Sequence, residues 1–131
     1  NDKKIYDNFA ARVEKIKKEV FDFIKQEVES GKKVYVYGAS TKGNTLLQYF
    51  NLDNFLIKAA AERNPAKWGK KTVGTNIPII SEEQARAEKP DYFLILPWHF
   101  LKEFKERETE YIKSGGKFII PFPEFEIIDK I

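Results

Sequence analysis

The chain holds 131 residues, 42% hydrophobic and 15% aromatic, which suits one domain with a sizeable core and excludes disorder. Lysine and arginine number 23 against 20 aspartates and glutamates, and the formal net charge of +3 is too weak a field to imply nucleic acid. No cysteine is present and His99 is the only histidine, so disulfides, thiolate metal sites, a cysteine nucleophile and a histidine-rich metal cluster are excluded. No apolar run approaches the ~18 residues needed to cross a bilayer, and Asn1-Asp2-Lys3-Lys4 lacks the apolar core of a signal peptide. The expected setting is cytoplasmic, with neither membrane nor nucleic acid as partner. With no methionine and a start at Asn1, the chain is expected to be a piece of a longer protein.

Over residues 6–30, Phe9, Val13, Ile16, Val20, Ile24 and Val28 recur at steps of three and four, while the other face carries Glu14, Lys15, Lys18, Asp22 and Lys25. This spacing predicts a long amphipathic helix, closed by Gly31. An apolar strand over 33–37 then runs into Gly38-Ala39-Ser40-Thr41-Lys42-Gly43-Asn44-Thr45, which opens a short helix reaching Phe50. Amides at a helix start have no intrahelical acceptor and lie at the positive end of its dipole, so this turn is a candidate anion site. Ser40, Thr41, Lys42, Asn44 and Thr45 add side-chain donors.

Two glycine-rich loops are near to this turn, and it matches neither. The dinucleotide fingerprint G-x-G-x-x-G requires glycine where Ser40 stands. The pattern G-x-x-x-x-G-K-[ST] is met at Gly38, Gly43 and Thr45, but Asn44 fills the lysine slot and the lysine is Lys42, which argues against a γ-phosphate and Mg²⁺ site. Alternatively, Gly38 and Gly43 serve only a tight turn and close helix packing.

A second strand is expected over 55–61, ending in Glu62-Arg63-Asn64-Pro65. Glu62 stands where an acidic residue takes ribose hydroxyls in a nucleotide-binding half, or it is an ordinary surface glutamate. The 66–76 segment carries Lys67, Trp68, Lys70 and Lys71, and either closes over a phosphorylated ligand or is a plain crossover. A short strand over 77–80 leads to Ser81-Glu82-Glu83-Gln84, a capping box for a helix that stops before Pro90. Residues 92–96 form a continuous apolar run, as in a strand buried on both faces. Pro97-Trp98-His99 follows, then a helix over about 100–114 closed by Gly115-Gly116, and strands over 117–120 and 125–128. His99 is the candidate for acid–base work or hydrogen bonding to a ligand, and Trp98 for stacking on it.

Apolar strands alternating with helices predict an α/β fold: a doubly wound, Rossmann-like, mainly parallel sheet with helices on both faces. One domain is expected over 1–131, the long helix in 1–31 and the sheet in 32–131. In such sheets ligands bind beyond the carboxyl ends of the strands, where the turns after Gly38, Glu62, Leu96 and Ile120 converge.

The block from Tyr37 to Leu47, the Asn64-Pro65 to Ile77-Pro78-Ile79 segment, Leu96-Pro97-Trp98-His99, Pro121-Phe122-Pro123-Glu124 and Asn8-Phe9-Ala10-Ala11-Arg12-Val13 together resemble the C-terminal domain of the sugar C-methyltransferase family. In that family a zinc-binding N-terminal segment and a central S-adenosylmethionine-binding domain precede a Rossmann-like domain that helps bind a nucleotide-linked sugar. The resemblance implies that Gly38, Ala39, Ser40, Lys42, Gly43, Asn44 and Thr45 face the sugar nucleotide, with Trp98 and His99 beside it. It implies no cofactor in this chain; S-adenosylmethionine belongs to the missing central domain, the expected partner within the parent chain. The chain is therefore not expected to methylate anything alone. Two further functions stay open: an NAD(P)- or other nucleotide-binding module of an oxidoreductase, on the strength of Glu62, and a non-catalytic interaction domain using the long first helix.

Overall fold

The computed structural model describes residues 2–96, 106, 108–121 and 125–129. Helix α1 (Asp2–Glu29) begins four residues earlier than the periodicity predicted. Its stripe is buried against the sheet at Ile16, Val20 and Ile24, with Phe23 and Val28 partly buried beside them, while Ile5, Tyr6 and Phe9 are exposed. Gly31 ends it at φ +95°: its amide donates to the Val28 carbonyl and that of Lys32 to the Glu27 carbonyl, satisfying two terminal acceptors at once.

Six strands form one sheet: β1 (Val34–Tyr37), β2 (Ala60–Glu62), β3 (Ile79–Ser81), β4 (Tyr92–Ile95), β5 (Lys117–Ile120) and β6 (Glu126–Ile128), in the order β3-β2-β1-β4-β5-β6. Neighbours are parallel except β5 and β6; Val36 lies opposite Ala60 on one side and Leu94 on the other. Side chains alternate across each strand, so the sheet divides two cores. Val34, Val36, Ala60, Leu94 and Ile119 meet α1 and Leu47 and Phe50 around the end of α2 (Thr41–Tyr49). Tyr35, Tyr37, Phe93, Ile95 and Phe118 meet α3 (Glu82–Ala87) and α4 (Thr109–Lys113) on the other face. Burial on both faces is why β1 and β4 read as unbroken apolar runs. From β1 the chain steps outward first to β2 and β3, then to β4 and β5 on the other side, opening a crevice at the carboxyl end of β1.

Several boundaries differ from the sequence expectation. Residues 54–56 are a turn and the strand begins only at Ala60, because Asp53 folds back: its Oδ1 accepts the Phe55 amide at 2.9 Å and its carbonyl accepts those of Leu56 and Ile57. Phe55 is consequently 83% exposed. The third strand starts at Ile79, since the Ile77 amide is taken by the Thr72 hydroxyl at 2.9 Å. Ser81 caps α3 by accepting the Gln84 amide at 3.0 Å, but the Gln84 side chain donates to Glu88, so the reciprocal half of the capping box is replaced. Lys89, at φ +51°, turns the chain into Pro90. Of the helix predicted over 100–114, residues 106 and 108–114 are described, with α4 within them, and Phe125 precedes β6 rather than joining it. Pro97, Trp98 and His99, with 122–124, lie outside the described residues. Among the described residues no helix is long and apolar enough to cross a membrane.

Candidate functional site

The crevice is built from the turns that leave β1 and β2. Gly38 sits at φ +94°, and a Cβ there would meet nothing within 4 Å, so the backbone angle rather than crowding requires glycine. Its amide donates to the Ala61 carbonyl at 2.6 Å, joining the two turns. Ser40 then caps α2 with extended backbone, its Oγ accepting the Gly43 amide at 3.0 Å. The first helical bond runs from the Asn44 amide to the Ser40 carbonyl at 2.9 Å, leaving the Thr41 and Lys42 amides without an acceptor inside the helix.

Other residues of the motif have tasks that their spacing did not show. Gly43 is buried, and a Cβ on it would lie 2.7 Å from Leu96 Cδ1, so this glycine lets α2 approach the end of β4. Its amide, held by Ser40, is not aimed at a ligand. The Thr45 hydroxyl donates to the Thr41 carbonyl at 3.1 Å. Asn44 turns toward residues 66–76: its Nδ2 donates to the Val73 carbonyl at 2.7 Å and its Oδ1 accepts from Thr75 at 2.6 Å. Lys42 is exposed and stands outside the cleft lining described below.

Glu62 acts as a brace between turns. One oxygen accepts the Ala39 amide at 2.9 Å and the other the Asn64 amide at 3.0 Å, while its carbonyl accepts the Trp68 indole N–H at 2.7 Å. Asn64 in turn caps a 3₁₀ turn (Pro65–Lys67), accepting the Ala66 amide at 3.1 Å. The chain folds back along β3, with the Ile79 amide donating to the Lys70 carbonyl at 2.8 Å. The result is a cleft of about 480 Å³, within the range of small-molecule sites. Ala39, Ser40, Thr41 and Thr45 form one wall, and Lys67, Lys70, Lys71 and Thr72 the other; among the described residues no carboxylate lines it. Lys67 is partly committed, its Nζ lying 3.3 Å from the Ala39 carbonyl.

A family model described as the C-methyltransferase C-terminal domain matches residues 1–123. The chain belongs to that family. It is 37% identical over 123 residues to the C-methyltransferase NovU of Streptomyces niveus, a match covering 94% of this chain and 29% of that protein. The chain thus spans less than a third of the length of the curated relative it matches.

Of the site residues expected from sequence, this C-methyltransferase C-terminal domain brings Ala39, Ser40, Asn44 and Thr45 to the cleft, with Gly38 shaping the turn behind them. Lys42, Gly43 and Glu62 are not in its lining, and Trp98 and His99 lie outside the described residues. Among the described residues no group of carboxylates or imidazoles could hold a metal ion.

The domain also buries a charge that no spacing announced. Glu108, 1% exposed, lies on the face of the sheet opposite α2 and accepts from Arg86 Nε at 2.8 Å, Arg86 Nη2 at 2.5 Å and the Tyr37 hydroxyl at 3.1 Å. Arg86 Nη2 also reaches Glu82 at 3.0 Å. The hydrogen bond with Glu108 raises the Arg86 pKa further, keeping the guanidinium charged. The only sequence trace of it is the Glu82 to Arg86 spacing on one helix face. Burial holds the phenols of Tyr35, Tyr92 and Tyr111 above their usual range, as neutral donors to Glu88, Glu27 and the Pro90 carbonyl.

Proposed function

We propose that this domain binds the nucleotide-linked sugar substrate of an S-adenosylmethionine-dependent C-methyltransferase and is not catalytic alone. The observation that carries the proposal is the cleft itself: three lysines facing the open start of α2, with no carboxylate in the lining among the described residues, at the carboxyl edge of the sheet. That combination suits a diphosphate. The strand order is the one found in doubly wound, Rossmann-like sheets, where ligands bind at the point from which the chain steps both ways. Backbone amides of Thr41 and Lys42 and the lysine ammonium groups hold the phosphates in this scheme, while Gly38, Gly43 and Glu62 keep the two turns in place. Trp98 and His99 come after Leu96-Pro97 in sequence and stay candidates for the sugar or base on the family resemblance.

S-adenosylmethionine does not fit this cleft. The cofactor carries no phosphate, and its sulfonium and ammonium cations meet lysines with no carboxylate beside them among the described lining residues. Cofactor and methyl transfer are assigned to the remainder of the parent protein, the domain's partner. Isothermal titration of the chain with a panel of sugar nucleotides and with NAD tests the proposal. Sugar nucleotides are expected to bind, and more tightly than NAD. Tighter binding of NAD would move the domain to the oxidoreductase class, and no binding of either would remove the ligand site altogether.

A further inference from the structure

We infer that residues 66–76 form the cationic half of a diphosphate subsite, and that Asn44 positions this loop rather than touching the ligand. The inference rests on the sugar-nucleotide reading above and adds which residues supply the charge and what holds them. Position 44 is where a phosphate-binding loop of the G-x-x-x-x-G-K-[ST] type carries its lysine. Here the charge arrives from across the cleft, on Lys70 and Lys71, both exposed and both in its lining. Ammonium groups on a free loop would lose much of their worth to the entropy of ordering it. The loop contains Gly69 and Gly74 at positive φ, which lets it turn sharply but gives it no rigidity of its own.

Backbone bonds tie the base of the loop to β3, from the Gly69 amide to the Ile79 carbonyl and from the Ile79 amide to the Lys70 carbonyl, and the Thr75 carbonyl accepts the Asn54 amide. What joins the loop to α2 across the cleft is one directed chain of hydrogen bonds. The single proton of the Thr75 hydroxyl goes to Asn44 Oδ1 at 2.6 Å. The Thr72 hydroxyl, 2.5 Å from that of Thr75, must therefore donate to it, and the Thr72 oxygen accepts the Ile77 amide at 2.9 Å. At the other end the Asn44 amide donates to the Val73 carbonyl, which Gln48 Nε2 also reaches at 3.0 Å. Thr72 and Thr75 are buried, so the middle of this chain is shielded from water, where such bonds strengthen one another. Both the nitrogen and the oxygen of the Asn44 amide are engaged by the loop, and Thr75 is absent from the cleft lining.

The experiment measures uridine diphosphate and inorganic pyrophosphate binding by calorimetry, with tryptic cleavage after Lys70 and Lys71 as a separate measure of loop order. Replacing both lysines by alanine should weaken uridine diphosphate binding about tenfold and reduce its salt dependence, since each is a charge-assisted contact. Asn44→Ala and Thr75→Val should each speed cleavage and weaken both ligands several-fold, whereas Thr75→Ser, which keeps the hydroxyl, should match the parent. In the background lacking both lysines, Asn44→Ala should add no further loss, because it acts through them. Gln48→Ala, an exposed change, repeats the test in weaker form should Asn44→Ala fail to fold.

An additive loss would make Asn44 a direct ligand contact and overturn its positioning role. Faster cleavage with unchanged affinity would show that the loop does not hold the ligand. If the chain without both lysines binds as the parent does, this inference fails and the sugar-nucleotide reading stands. If the parent chain binds neither probe, the sugar-nucleotide reading fails with it.

Discussion

Replacing Arg86 by methionine tests how the buried Glu108 is kept. The Glu108 side chain has no exposed surface, and Arg86 supplies its charge-bearing donors, leaving only the Tyr37 hydroxyl among the described residues when it is removed. Breaking a buried ion pair from one side costs roughly 3 to 5 kcal/mol, because the remaining charge stays out of water. Arg86 itself is 38% exposed, so water can enter where its guanidinium stood, and the lower end, about 3 kcal/mol, is expected. An unfolding entropy of about 2.1 cal/mol/K per residue gives this chain about 0.28 kcal/mol/K, so that loss corresponds to a fall of about 11 °C in Tm. Circular dichroism melts of the parent, Arg86→Met, Glu108→Met and the double variant are the assay. The double variant should recover most of the loss, since replacing both partners by apolar groups removes the orphaned charge. An Arg86→Met protein within about 1 kcal/mol of the parent would show that Glu108 is solvated and would refute the reasoning.

Two more outcomes are expected. Gly43→Val should destabilise the domain by about 2 to 4 kcal/mol in a denaturant titration, because its side chain enters the space of Leu96 Cδ1 and the Ser40 cap; a valine variant as stable as the parent would show that α2 is not seated against β4. The Tyr35 hydroxyl, donating to Glu88, is the largest of the causes holding that carboxyl below its usual range, with Gln84 next. A depressed carboxyl contributes stability above its unfolded value of about 4.5, lost as pH falls through the folded one. Tyr35→Phe should therefore cost about 1 kcal/mol at pH 7, and its deficit should shrink toward pH 3, whereas a deficit independent of pH would point to packing alone.

The kind and order of the elements were readable from spacing because each signal is local. Gly31 closes α1 with bonds to residues of the preceding turn, Ser40 and Ser81 cap helices three residues on, and β1 and β4 are apolar throughout because both faces are covered. The glycine-rich turn after β1 and the lysines of 66–76 were visible for the same reason, as dense clusters of donors and charge. Which way each of those side chains faces could not be read there, because its partner lies far along the chain. Asn44 is claimed by Val73 and Thr75, Gly43 by Leu96, Glu62 by the amide of Ala39, and Glu108 by Arg86 and Tyr37. Strand ends shifted likewise, as Asp53 and Thr72 took backbone amides that apolar spacing had assigned to the sheet. Periodicity records which face of an element is apolar; which polar atoms pair is set by the register in which distant segments meet, and that follows from burying the whole core at once.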